Sequence, residues 1–185
     1  MELRHWTLSD AMELTSLCNA VDRHHLSDRL PNPYTEKDAE EWLKMVTDND
    51  TITGIYRAIV CDRKLIGSIS VEKKDDDAEI GYMLLNEYKN KGIATEAVKQ
   101  VCTIAFKVLS FEQITANVFQ PNIASISVLL KNGFKYKGTI PNAVIKDGNV
   151  SDLLIYVLTK KNKIKHNQYP DSSCPSPRRS GSDIQ

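Results

Sequence analysis

The chain has 185 residues, with 24 Lys plus Arg against 24 Asp plus Glu and a formal net charge of zero. That length suits one domain around a single core, and the even charge argues against a nucleic-acid or membrane-surface binder. Cys18, Cys61, Cys102 and Cys174 are far apart and form no C-x-x-C pair, which argues against a zinc ribbon or a disulfide framework.

The opening residues show no apolar leader, and no apolar run approaches the length needed to cross a bilayer. A soluble, cytoplasmic protein is expected, as a monomer or homodimer. Residues 3–6 read as a short strand, and Ser9 or Asp10 then caps a helix that sets Ala11, Leu14 and Leu17 on one face. A link containing Pro31 and Pro33 follows. Thr35 and Asp38 have the spacing of a capping box before a second helix, whose buried stripe is Ala39, Trp42, Leu43 and Val46. Residues 56–61 and 65–72 are β-rich and predict a hairpin through Asp62, Arg63 and Lys64. Asp75, Asp76 and Asp77 read as a solvated turn, because carboxylates adjacent in sequence rarely converge, so no metal is assigned.

The most informative stretch begins here. Ile80, Tyr82 and Leu84 alternate with Glu79, Gly81 and Met83 as a strand with two different faces. Past the loop from Asn86 to Thr95, the residues Ala94, Ala97, Val98, Val101, Ile104, Ala105 and Val108 recur at helical spacing. A chain leaving a strand for a helix in this way gathers unpaired N–H groups at the positive end of the helix dipole, a site suited to phosphate. Lys89 and Lys91 add charge there. With Gly92 alone in the turn, the loop is neither a P-loop nor a dinucleotide fingerprint, and an ordinary strand-to-helix turn stays open at this point.

Residues 113–119 alternate as a further strand, and Asn122 caps a helix that reaches Lys131 and stops at Asn132-Gly133. Residues 134–138 and 150–158 are the last strands, joined through Asp147-Gly148-Asn149. From residue 160 to 185 the chain turns polar and proline-rich, a composition that predicts a disordered tail after a domain of residues 1–159.

The run Lys89-x-x-Gly92-x-Ala94, followed by Thr95-Glu96-Ala97, resembles the Q/R-x-x-G-x-G/A acetyl-CoA loop of the GNAT N-acetyltransferase superfamily. Glu79-Ile80-Gly81-Tyr82, Asn122-x-x-Ser125 and Asn132-Gly133-Phe134 resemble, in the same order, its ribosomal-protein-alanine-acetyltransferase branch. The likeness implies an α/β (mixed α+β) domain with a central, mostly antiparallel mixed sheet of six to seven strands, splayed in the middle, and helices on both faces. It also implies transfer of acetyl from acetyl-CoA to a primary amine on a protein N-terminus or small molecule, without a covalent enzyme intermediate.

On this likeness the backbone of Tyr82, Met83 and Leu84 meets the pantetheine arm, and the Leu84 N–H polarises the thioester. Lys89, Asn90, Lys91, Gly92, Ile93, Ala94 and Thr95 wrap the pyrophosphate, and Asn122 and Ser125 touch the arm. Asn122 as a simple helix cap is the alternative. Glu79 is the candidate general base, with a surface salt bridge as its plainer role. His24, His25, Asp28 and Tyr34 come from the segment that overhangs the acceptor mouth in this family, although surface loop residues are the default for each.

Two positions depart from the pattern. Leu129 stands where many members carry a proton-donating tyrosine, leaving Ser125 as the candidate donor, and Val144 stands where some carry a glutamate. These departures motivate a second reading, an acyl-CoA-binding module that has lost catalysis.

Overall fold

The computed structural model describes residues 1–26, 30–74, 77–146 and 148–161. The expected tail beyond residue 161, with Cys174, lies outside them, as do Asp28, Asp75, Asp76 and Asp147. The elements are β1 (Glu2–Arg4), α1 (Ala11–Ala20), α2 (Glu36–Asn49), β2 (Gly54–Cys61), β3 (Lys64–Lys74), β4 (Asp77–Leu84), α3 (Ile93–Val108), β5 (Gln113–Phe119), α4 (Ile123–Lys131), β6 (Lys135–Lys146) and β7 (Asn149–Thr159). The strands form one seven-stranded sheet in the order β1-β2-β3-β4-β5-β7-β6. Every neighbouring pair is antiparallel except β4 with β5.

Each face of the sheet is covered by its own core. On one face Ala97, Val98, Val101, Cys102 and Ala105 of α3 pack, fully buried, on Ile55, Ile69, Val71 and Ile114. Burying a valine such as Val101 contributes roughly 1.5–3 kcal/mol, which explains why this helix carries the apolar stripe read in its sequence. On the other face Leu14 and Leu17 of α1 and Ala39, Leu43 and Val46 of α2 pack on Tyr56, Ala58 and Leu85. Thr35 caps α2, its Oγ1 accepting the Asp38 N–H at 3.2 Å while the Asp38 carboxylate accepts the Thr35 N–H at 2.8 Å.

Three expected boundaries move. The first strand is Glu2–Arg4 rather than 3–6, because the chain turns at Thr7 into a short 3-10 helix, Leu8–Asp10. Asp10 works backwards from there, its carboxylate accepting the Thr7 N–H at 2.8 Å and two Arg4 contacts at 2.9 Å. The β2–β3 hairpin turns on two residues, Asp62 and Arg63, both with positive φ (50° and 66°), and Lys64 already belongs to β3. The penultimate strand runs to Lys146, not to residue 138. It bulges twice against β7 and is exposed along most of its length, so it lacks the alternation that marks a half-buried strand.

Candidate active site

The β4–β5 pair holds for only two residues, Ala78 opposite Ile114 and Glu79 opposite Thr115, and beyond them the strands part. What β4 presents to the opening follows from its register with β3. Leu85 donates its N–H to the Ile66 carbonyl at 2.9 Å, which makes that pair a hydrogen-bonded one. Antiparallel pairs alternate, so Gly67–Leu84 and Ile69–Tyr82 are the non-hydrogen-bonded kind. The N–H and C=O groups of Leu84 and Tyr82 therefore point away from β3, into the gap. Those of Met83 turn to Ser68, and its side chain packs into the α1–α2 core.

Gly67 sets this strand close. A Cβ on it would lie 2.4 Å from the Met83 carbonyl oxygen, a distance no side chain tolerates. Nothing in the sequence pattern marks Gly67 as part of the site.

Below the gap the chain bends into α3. Asn90 and Gly92 adopt left-handed backbone, with φ of 61° and 77°, and Gly92 is the residue that opens the helix. The first helical bond runs from the Glu96 N–H to the Gly92 carbonyl. The N–H groups of Ile93, Ala94 and Thr95 thus precede the helical ladder, at the positive end of its dipole. A Cβ built on Gly92 meets nothing within 4 Å, so the bend faces open space. Lys89 pairs with Asp22 at 3.2 Å, and Lys91 lies over the Tyr88 ring at 5.4 Å. Buried Asn132 ties α4 to this end of α3, donating from Nδ2 to the carbonyls of Thr95 at 3.1 Å and Val128 at 2.9 Å.

Across the gap, Asn122 caps α4 by accepting the Ser125 N–H on Oδ1 at 3.0 Å, which leaves its amide hydrogens for another partner. The Ser125 Oγ lies 2.7 Å from the Tyr82 hydroxyl. Leu129 is wholly buried in the core. Glu79 is ion-paired with Lys74, its side chain 28% exposed, and shares its sheet face with Gly81 and Met83.

A GNAT family model, described as an acetyltransferase (GNAT) domain, matches residues 1–135. The chain belongs to the GNAT acetyltransferase family. The uncharacterized N-acetyltransferase YoaA of Bacillus subtilis is 34% identical over 101 residues, 53% of this chain and 57% of that protein. The putative ribosomal N-acetyltransferase YdaF of the same organism is 30% identical over 131 residues, 69% of this chain and 70% of that protein. The chain thus spans 57% and 70% of the length of these two curated relatives. Mycobacterium smegmatis RimJ in complex with CoA-disulfide has the same fold, with a TM-score of 0.76 at 20% identity over 91% of this chain and 88% of that one.

Around the gap of this GNAT-family chain, the segment between α1 and α2 is held down by Arg23, which donates to the Cys18 carbonyl at 3.1 Å and the Pro31 carbonyl at 2.7 Å. Lys146 of β6 donates to the Leu26 carbonyl, so the β6–β7 hairpin meets that segment. His24 and His25 stand edge to face at 5.5 Å; burial, then the nearby His24, holds the His25 pKa below its ordinary value. Tyr34 is not at the mouth. It is buried in the α1–α2 core, its N–H on Asn19 and its hydroxyl on the Asp38 carbonyl, because the aromatic body is worth more there than in a solvated loop. A shallow cavity of about 600 Å³ lies elsewhere, at the start of β5 and the end of α3, lined by Phe106, Leu109, Phe111 and Gln113. It adjoins the paired end of β4 and β5, not the gap. Among the described residues no helix is long and apolar enough to cross a membrane, and no three potential metal ligands converge.

Proposed function

We propose that the chain is an acetyl-CoA-dependent N-acetyltransferase that moves acetyl directly to a primary amine, on a protein N-terminus or a small molecule. The observation that carries this reading is the gap itself. On its β4 side two main-chain N–H groups face it, those of Tyr82 and Leu84, and it runs down to a helix N-terminus opened by Gly92. An extended acyl-pantetheine arm fits such an edge as an added strand would, with the diphosphate on Asn90 to Thr95 and the Asn122 amide on the arm. The CoA in the RimJ neighbour supports the same ligand.

Acetyl-CoA supplies the activated acyl group. The residues of the chain place it and handle protons. Leu84, to which the family likeness assigns the polarising N–H, is five residues from Glu79, roughly 17 Å along an extended strand. A base on Glu79 does not serve an amine there. Tyr82 lies three residues from Glu79, about 10 Å, and its N–H faces the same gap. Tyr82 therefore polarises the carbonyl, Leu84 holds the arm nearer the loop, and Glu79 takes the amine proton through water. An incoming ammonium group competes with Lys74 for that carboxylate. Ser125 faces the departing sulfur. The free thiols Cys18 and Cys61 support a cytoplasmic, reducing compartment.

The test is an acceptor screen with acetyl-CoA, reading thiol release over N-terminal peptides, amino acids and polyamines. Release with one acceptor class, without build-up of acetyl-protein, is the expected result. Binding of acetyl-CoA with no release for any amine, under conditions in which a control enzyme turns over, would overturn it in favour of a binding module.

A further inference from the structure

The Tyr82 side chain does something the backbone role of that residue does not require. It leaves β4 beyond the last pairing with β5, crosses to α4 and puts its hydroxyl 2.7 Å from the Ser125 Oγ, and 3.4 Å from the Ser125 carbonyl oxygen. The contact joins the two sides of the gap across 43 positions of sequence. We propose that Tyr82 is a positioning residue: its hydroxyl donates to the Ser125 Oγ and so turns the Ser125 O–H outward, toward the sulfur of bound CoA.

Three observations carry this. A phenol hydroxyl removed from water needs an acceptor, and the Ser125 Oγ is at ideal distance whereas the carbonyl is long. The phenol stays protonated, since burial, offset in part by the Ser125 contact, leaves its pKa pushed up to about 12. Finally, helical Thr15, Ser16, Thr47 and Thr103 each donate back to a helical carbonyl four residues earlier, whereas Ser125 stands in the first turn of α4, where no helical carbonyl lies four residues back to take its hydrogen. The hydrogen that Tyr82 displaces is therefore available to a ligand in the gap.

The inference rests on the acetyl-transfer reading and adds to it. When the C–S bond breaks, its electron pair stays on sulfur as a thiolate. The Ser125 O–H donates a hydrogen bond to that thiolate and keeps its proton; Tyr82 keeps its own. The proton lost by the amine leaves through Glu79.

Ultraviolet absorbance of the thiolate, with desulfo-CoA as blank, gives the thiol pKa of enzyme-bound CoA with no acceptor present. Wild type should lower that pKa relative to free CoA. Tyr82→Phe should raise it by about one unit, a tenfold change in thiolate preference, and Ser125→Ala by at least as much. The double variant should go no further than Ser125→Ala, because Tyr82 acts only through that hydroxyl. Calorimetry should show CoA affinity of Tyr82→Phe within about twofold of wild type at a pH where the thiol is protonated, as expected when a hydroxyl changes without loss of packing. An unchanged thiol pKa in either single variant, or additive effects in the double, would overturn the assignment while leaving acetyl transfer intact. Failure of wild type to bind CoA would instead overturn the transferase reading, and this inference with it.

Discussion

Gly67 lies against the carbonyl of Met83 so closely that a Cβ would sit 2.4 Å from the oxygen. The missing side chain lets β4 lie this close to β3 in the register that leaves Tyr82 and Leu84 aimed into the gap. Gly67→Ala must push backbone, because the obstacle is a main-chain atom. Overpacking of this kind costs roughly 1–3 kcal/mol. Thermal unfolding should show that loss, and CoA affinity should fall in the fraction that remains folded, since the edge that meets the arm moves with Met83.

Glu79→Gln separates binding from chemistry. The variant keeps side-chain volume and loses the Lys74 ion pair, which is partly exposed and so contributes little to stability. The affinity for CoA should match wild type, and turnover should drop by about 10²–10⁴-fold, the usual contribution of a general base. Weaker CoA binding with unchanged turnover at saturation would remove Glu79 from the reaction.

Asp10 makes the stability depend on acid. Burial opposes its ionisation most strongly, but the Arg4 guanidinium and the Thr7 N–H and hydroxyl outweigh burial and hold its pKa below the ordinary 3.8. A carboxyl whose folded pKa lies below its unfolded one stabilises fully above the unfolded value, and the contribution is lost as the pH falls through the folded pKa. Asp10→Asn should therefore cost about 1–3 kcal/mol at pH 7, and the gap from wild type should close below about pH 4. Urea unfolding across pH checks both limbs; a gap that widens in acid would contradict the assignment.

Much of this architecture is legible in the sequence where one physical signal acts alone. Alternation fixes β5 at Gln113–Phe119, and Thr35 with Asp38 marks the start of α2. Gly92 and Asn122 stand at the helix starts that their residue types favour. The rest depends on neighbours remote in the chain. The outer half of β6 is exposed and bulged, and Pro141 and left-handed Asn142 interrupt it, so no alternation records it. The role of Gly67 exists only because Met83 lies across the ladder. The Tyr82–Ser125 contact, with Tyr82 read for its backbone and Ser125 as a separate donor, is likewise a product of the fold. Tyr34 reads as a loop residue by position and is core by burial.

The account stands on the left-handed turn at Gly92 and the gap above it binding one acyl-CoA. Titration calorimetry of acetyl-CoA into wild type and Gly92→Asp measures this directly. In Gly92→Asp a side chain must adopt φ of 77°, at a cost of about 1–2 kcal/mol, and its carboxylate would meet the diphosphate. The expected result is one site in wild type and loss of binding in a variant that still unfolds cooperatively. Equal affinity in the two proteins, or no binding in wild type, would contradict it.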